Sequence, residues 1–154
     1  MIDVTRIDQY REDNRIEAKK ATGGLPESIW ETYSAFANTL GGVILLGVEE
    51  DKKNLHAVDL PDPQWLADEF LRKVNDPKIA SANILSPEDI QFKTVDGNDL
   101  LLIYVPQAQP HQLPVYVGGD PYSGTYRRCG EGDIRCSRDE VERMMEGKLA
   151  SYCG

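Results

Sequence analysis

Residues 34–48, Ser-Ala-Phe-Ala-Asn-Thr-Leu-Gly-Gly-Val-Ile-Leu-Leu-Gly-Val, constrain this chain more than any other stretch. They join the end of an apolar-striped helix to a run without a polar side chain, through two consecutive glycines. Ile29, Trp30, Tyr33, Phe36, Ala37 and Leu40 recur at spacings of three and four, the mark of one buried helix face. Pro26 suits the first turn, Asn38 falls on the other side, and Gly41-Gly42 stop the helix. Val43 to Val48 then reads as one continuous apolar strand. A strand of that kind is covered on both faces, so the chain must place layers on either side of it.

The remaining patterns supply those layers. Ile16 and Ala18 alternate with Glu17 and Lys19, as in a short half-buried strand. Leu55 to Leu60 is a further short strand, and Glu49 to Lys53 reads as a solvated turn. Asp62-Pro63 caps a helix that points Leu66, Ala67, Phe70, Leu71 and Val74 inward. Ile90–Val95 and Leu100–Val105 flank Asp96-Gly97-Asn98, a hairpin signal. Val115 to Val117 forms a small strand in a Pro- and Gly-rich stretch, and Thr125–Arg128 and Asp133–Cys136 are two more. Ser137-Arg138-Asp139-Glu140 is a capping box for a last helix with Val141, Met144 and Met145 on one face. The tail after Gly147 is expected to fray. Helices and strands are interleaved, so the fold class is α/β (α+β), a mixed β-sheet with packed helices.

The 154 residues suit one domain, expected over 1–154 with a core near 10–147. No apolar run is long enough to span a bilayer and the N-terminus lacks a signal-peptide core, so the expected location is cytoplasmic with no membrane partner. Cys129, Cys136 and Cys153 are odd in number and poorly spaced for zinc, so three free thiols are expected. No GxxxxGK[ST] loop and no GxGxxG after a strand is present, and His56 and His111 stand alone.

Net charge is −9, the wrong sign for an obvious nucleic-acid binder. The deficit lies in residues 21–124, which carry six basic and fifteen acidic groups, while both ends are balanced. A phosphate-binding face would therefore draw on the ends. Lys19, Lys20, Arg127, Arg128 and Arg135 are the candidates, with Tyr126 beside them for stacking. Residues 127 and 128 must point to opposite faces of their strand, and salt bridges to local acids are the competing use of these arginines. The acids offer a second chemistry. Glu12 and Glu17 bracket the first strand, and Glu49, Glu50 and Asp51 follow the central one. If those strands are neighbours, Glu12, Glu17, Glu50 and Asp51 could hold a divalent cation, Mg²⁺ or Mn²⁺. A solvated acidic turn is the alternative.

Glu12-Asp-Asn-Arg-Ile-Glu17-Ala-Lys19, then Ser34-Ala-Phe-Ala-Asn-Thr39-Leu-Gly-Gly42, then Ile44-Leu-Leu-Gly-Val-Glu49 resembles the Schlafen/AlbA-2 domain family. Gly124-Thr-Tyr-Arg-Arg128 through Cys136-Ser-Arg-Asp-Glu140 resembles that family's closing strand pair and helix. The resemblance implies the α/β Schlafen core, standing at the N-terminus of a longer bacterial protein of the kind described as a transcriptional regulator or ATP-binding protein. It implies nucleic acid as partner, DNA before RNA, together with downstream domains of the parent chain. Animal relatives cut RNA with three acids, which would fall here on Glu12, Glu17 and one of Glu50 or Asp51. Three functions follow: a nucleic-acid-binding module working through phosphate contacts and needing no cofactor; a metal-dependent nuclease using Glu12, Glu17 and Glu50 or Asp51; or a structural module that assembles, for example as a homodimer.

Overall fold

The computed structural model describes residues 1–52, 54–151 and 153. A 3-10 turn, Val4–Gln9, precedes β1 (Ile16–Lys19), α1 (Ile29–Asn38) and β2 (Gly42–Leu46). Then come β3 (Val48–Asp51), β4 (Asn54–Ala57), α2 (Pro63–Val74), β5 (Ile90–Val95) and β6 (Asn98–Val105). A one-turn α3 (Pro121–Gly124), β7 (Tyr126–Cys129), β8 (Gly132–Arg135) and α4 (Arg138–Met145) complete the chain. The main sheet has the order β1-β2-β6-β5, with β1 parallel to β2 and the other pairs antiparallel. β3-β4 and β7-β8 form separate two-stranded ribbons. The fold is thus the mixed-sheet α+β arrangement expected of the pattern.

All five residues of β2 are buried, because both sheet faces are covered. Ile44 and Leu46 join Leu101 and Ile103 of β6 against α1 and α2. Val43 and Leu45 join Leu100 and Leu102 against the N-terminal turn and the β3-β4 ribbon. This period-two division gives the central strands two cores. Each fully buried Leu or Ile contributes about 1.5–3 kcal/mol of transfer free energy.

The apolar run is nevertheless not one strand. Gly47 sits at φ +85° and ends β2, its N–H donating to the Lys19 carbonyl at 2.9 Å. A Cβ there would lie 2.9 Å from Leu60 Cβ and 3.1 Å from the Asp99 carbonyl oxygen, so the break needs glycine. Val48 therefore starts β3, and Glu49 to Asp51 belong to that strand instead of a solvated turn; Lys53 lies outside the described residues.

α1 also departs from a simple amphipathic helix. Thr32, Ser34, Ala35 and Asn38 are buried together with the apolar stripe, because β7 packs along the second side. The Tyr126 N–H donates to Ser34 Oγ at 3.0 Å and the Arg128 N–H to Thr39 Oγ1 at 3.0 Å. The Asn38 amide donates to the Val115 and Tyr126 carbonyls at 2.9 Å each, and its oxygen accepts from Val115 N–H at 2.9 Å. The small polar residues of α1 thus receive a backbone that no apolar side chain could satisfy.

Two expectations for the C-terminal end are corrected. Cys129 and Cys153 form a disulfide, and Cys136 alone is a free thiol, buried and pushed up to about 12 by that burial. An odd count leaves at least one cysteine unpaired but does not forbid one pair; the fold supplies it by bringing residue 153 beside β7. Within the tail, Ala150 is docked, its N–H donating to the Asn38 carbonyl at 2.9 Å. On α2, Leu71 is partly exposed, and so is Met145 on α4.

Gly42 tests the helix–strand junction. A Cβ there would meet the Phe36 ring at 2.8 Å and the Arg15 carbonyl oxygen at 2.9 Å. Gly42→Ala should lower stability in urea unfolding by about 1–3 kcal/mol. Gly23→Ala, with open space around the site, should stay within about 0.5 kcal/mol.

Candidate functional site

β1 is an edge strand of the main sheet, and four of the residues singled out in the sequence, Glu12, Glu17, Glu50 and Arg128, gather around it. Its outer edge is closed by side chains and a turn instead of another strand. Ala18 N–H donates to Glu12 Oε2 at 3.0 Å, and the Ile16 carbonyl accepts from Asp13 N–H at 3.1 Å and from Arg128 Nη2 at 3.1 Å. Arg128 arrives from β7, where α1 holds the ribbon in place.

The Arg128 side chain is fully enclosed, which corrects its assignment to a phosphate-contacting surface. Nε and Nη2 both donate to the Asp13 carbonyl, at 3.1 and 2.9 Å. Nη1 faces Glu17 Oε1 at 2.9 Å and Asp133 Oδ1 at 2.7 Å. The guanidinium also lies 4.8 Å from the centre of the Phe36 ring. A buried guanidinium is tolerable because its fork of donors is matched by carbonyls and carboxylates. Thr32 Oγ1 donates to the other Asp133 oxygen at 2.6 Å, tying the network to α1.

Beside this pair lies an acidic pocket. Glu12 N–H donates to Glu50 Oε2 at 3.1 Å, bringing β3 to the loop before β1. Glu12, Glu50 and Glu131, the last from the β7-β8 turn, each place one carboxylate oxygen within 4.8 Å of the others. Glu17 adjoins Glu12. Burial, together with the neighbouring Glu17 carboxyl and the charges of Glu17 and Glu50, raises Glu12 to about 7, against the Ala18 N–H that favours its anion. Three of the four acids expected at a cation site, Glu12, Glu17 and Glu50, are therefore brought together. Asp51 is exposed at the end of β3, opposite Asn54, and is not among the three converging carboxylates. Glu131 was not anticipated: it sits in a Gly-Glu-Gly turn whose only visible signal is the turn itself.

The basic candidates do not assemble in the same way. Lys19 Nζ is held by Ser28 Oγ at 3.0 Å and by Glu17 at 3.5 Å. Lys20 pairs with Glu49 at 3.1 Å, which keeps that carboxyl below the usual range. Arg127 points to the other face of β7, as the strand period requires, and meets Glu140 of α4 at 3.0 Å. Arg135 is exposed on β8, across from Tyr126, whose hydroxyl bonds Glu31 at 3.3 Å. Four of the five thus face carboxylates, and the competing use of these side chains prevails.

Comparison with known proteins places this geometry. The family model described as Schlafen, AlbA_2 matches residues 12–137. The chain belongs to the Schlafen, AlbA_2 family. The matched span begins at Glu12 and includes every acid of the pocket. Among solved structures, this Schlafen domain is similar to the N-terminal domain of a protein related to the ATP-dependent DNA helicase RecG, from Nitrosomonas europaea. The two share 34% identity over 88% of this chain and 94% of that one, with a TM-score of 0.64. It also shares its fold with the DIP2311 protein from Corynebacterium diphtheriae, at 21% identity and a TM-score of 0.59 over 90% of this chain. The chain spans only 28% of that second protein. No curated protein matches the chain. Among the described residues no helix is long and apolar enough to cross a membrane. Family and neighbour together are consistent with a nucleic-acid-associated module.

Two outcomes test the site's physical basis. Arg128→Met should cost about 3–5 kcal/mol in chemical unfolding, since it strands Glu17 and Asp133 in a partly buried site. Glu12 is favoured by the fold in its protonated form, so its contribution is full below about 4.5 and is lost as pH rises through about 7. Glu12→Gln, which keeps an oxygen for Ala18 N–H, should raise stability at pH 8 by about 1 kcal/mol after allowance for solvent screening. It should have no such effect at pH 4, as read from melting temperatures at the two pH values.

Proposed function

We propose that this domain is a nucleic-acid-binding module whose phosphate contact runs through a divalent cation, Mg²⁺ or Mn²⁺, held by Glu12, Glu50 and Glu131. One observation carries the reading: three carboxylates from separate segments converge to within 4.8 Å. All three donors are hard oxygens, the set that suits Mg²⁺, Mn²⁺ or Ca²⁺ over softer metals. A cation bound there would neutralise the acids and bridge them to phosphate oxygens, and would make a bound water more acidic. The chain's own groups prepare that geometry. Ala18 N–H orients Glu12, Glu12 N–H orients Glu50, and Arg128 holds Glu17 next to them. Lys19, Lys20 and Arg135 flank the pocket or its neighbouring ribbon as secondary phosphate contacts. DNA is favoured over RNA because the neighbouring solved domain comes from a protein named for a DNA helicase. In this reading the domain, residues 1–154, works in the cytoplasm as the N-terminal part of a longer regulator with downstream domains.

Hydrolysis of the bound strand is the second reading. The nearness of Glu17 to Glu12 favours it, because it sets a fourth carboxylate beside the other three.

Fluorescence anisotropy with labelled duplex DNA, single-stranded DNA and RNA, at low salt, separates these readings. Binding should require Mg²⁺ or Mn²⁺, vanish in EDTA, and weaken by about tenfold or more in Glu50→Gln and Glu131→Gln. Affinity indifferent to EDTA would remove the cation from the account. Shortened strands on a gel, absent with Glu17→Ala, would establish hydrolysis.

A further inference from the structure

β5 is the other edge of the main sheet, and unlike β1 it is not closed by side chains among the described residues. Its register fixes which backbone groups face outward. Thr94 lies opposite Asp99, whose N–H donates to Asp59 Oδ1 and whose carbonyl accepts from Leu60 N–H, both away from β5. Thr94–Asp99 is therefore a non-hydrogen-bonded pair, and the N–H and C=O of Thr94 point out of the sheet. By the period of two, those of Phe92 and Ile90 point the same way. Ile90 N–H is taken by the Pro87 carbonyl at the end of a 3-10 turn. The free edge thus offers the N–H and C=O of Phe92 and Thr94 and the C=O of Ile90.

The side chains above this edge are apolar. Phe92 sits on the α2 face, opposite Leu101, and is 47% exposed. It borders a groove of about 350 Å³ whose apolar walls are Ala67 and Leu71 of α2, Leu85 and Ile90. Leu71 is 37% exposed. An open strand edge beside an exposed apolar groove is a template for another strand.

We infer that this edge pairs antiparallel with β5 of a second copy of the chain, centred on Phe92. The strand is self-complementary in that register. Phe92 faces Phe92 of the second copy, the two exchanging backbone bonds, while Thr94 N–H meets the Ile90 carbonyl on each side. Each Phe92 ring then covers the groove of the facing subunit. On the opposite face Lys93 lies across from Gln91 of the second copy, while Asp89, in the 3-10 turn before the strand, keeps its carboxylate on its own Ser86 N–H. The competing registers are worse. Centring on Lys93 sets two lysines face to face, and centring on Gln91 directs hydrogen bonds to Ile90 N–H groups already satisfied by Pro87. The pairing leaves β1 and its acidic pocket on the far edge of each sheet, so it does not depend on the function proposed above.

Light scattering on the eluting protein, at physiological ionic strength where the −9 charges are screened beyond about 8 Å, reads the outcome. The wild type should have twice the 17.2 kDa chain mass at high concentration. Phe92→Glu, at an exposed position, and Thr94→Pro, which removes an outward N–H and leaves the β6 ladder intact, should each shift it to the monomer, with circular dichroism unchanged. Phe92→Cys should form a disulfide-linked dimer under mild oxidation, and Lys93→Cys should not. A wild type that stays monomeric at every concentration overturns the inference and leaves the edge to an extended segment of some other protein. A dimer indifferent to Phe92→Glu and Thr94→Pro, or trapped equally by Lys93→Cys, overturns it as well.

Discussion

The arrangement of this domain depends on one buried guanidinium. Arg128 spends its donors on the Asp13 and Ile16 carbonyls and on the carboxylates of Glu17 and Asp133. Those partners belong to the loop before β1, to β1 and to β8, so one side chain closes the sheet edge and fixes the β7-β8 ribbon across it. A lysine could not replace it, since a point charge cannot bond two carbonyls and two acids in a plane. The desolvation cost of such a charge is large, and complete satisfaction of its donors is what offsets it.

The position of the acidic pocket follows from that anchor. With the ribbon fixed, the turn between β7 and β8 delivers Glu131 to the same point as Glu12. The glycine break at residue 47 does the equivalent for Glu50: it turns the chain out of the main sheet, so that β3 runs beside β1 instead of extending β2. The pocket is consequently built from turns and strand ends supported by rigid elements. Four of the five candidate cations are meanwhile drawn to nearby acids, so that a chain of net charge −9 presents an organised ionic site.

Much of the fold was legible because the local patterns were unambiguous. The stripe on α1, the Asp62-Pro63 start of α2, the Asp96-Gly97 hairpin and the Ser137 capping box each carry a mechanism that acts within a few residues. The Glu12, Glu17 and Lys19 spacing, and the helix–Gly-Gly–strand junction, were enough for the family resemblance. What escaped depended on contacts across the chain. Gly47 looked like a member of an apolar strand because its positive φ is imposed by Leu60 and Asp99. Cys153 looked free because its partner is 24 residues away. Arg127 and Arg128 were legible as pointing to opposite faces, but only the packing of α1 and β1 against the ribbon made Arg128 the core residue and Arg127 a surface ion pair.

Sequence chemistry alone therefore establishes the element types, the buried central strand and the acids at strand ends, since periodicity, capping and glycine act locally. Which acids meet, which arginine is buried, and which sheet edge remains open are settled only when distant segments pack. Those outcomes depend on desolvation and on pairing partners more than a hundred residues apart, as with Arg128 and the Asp13 carbonyl. No local pattern encodes such a pairing, because its free energy exists only once the ribbon, α1 and β1 are already in place.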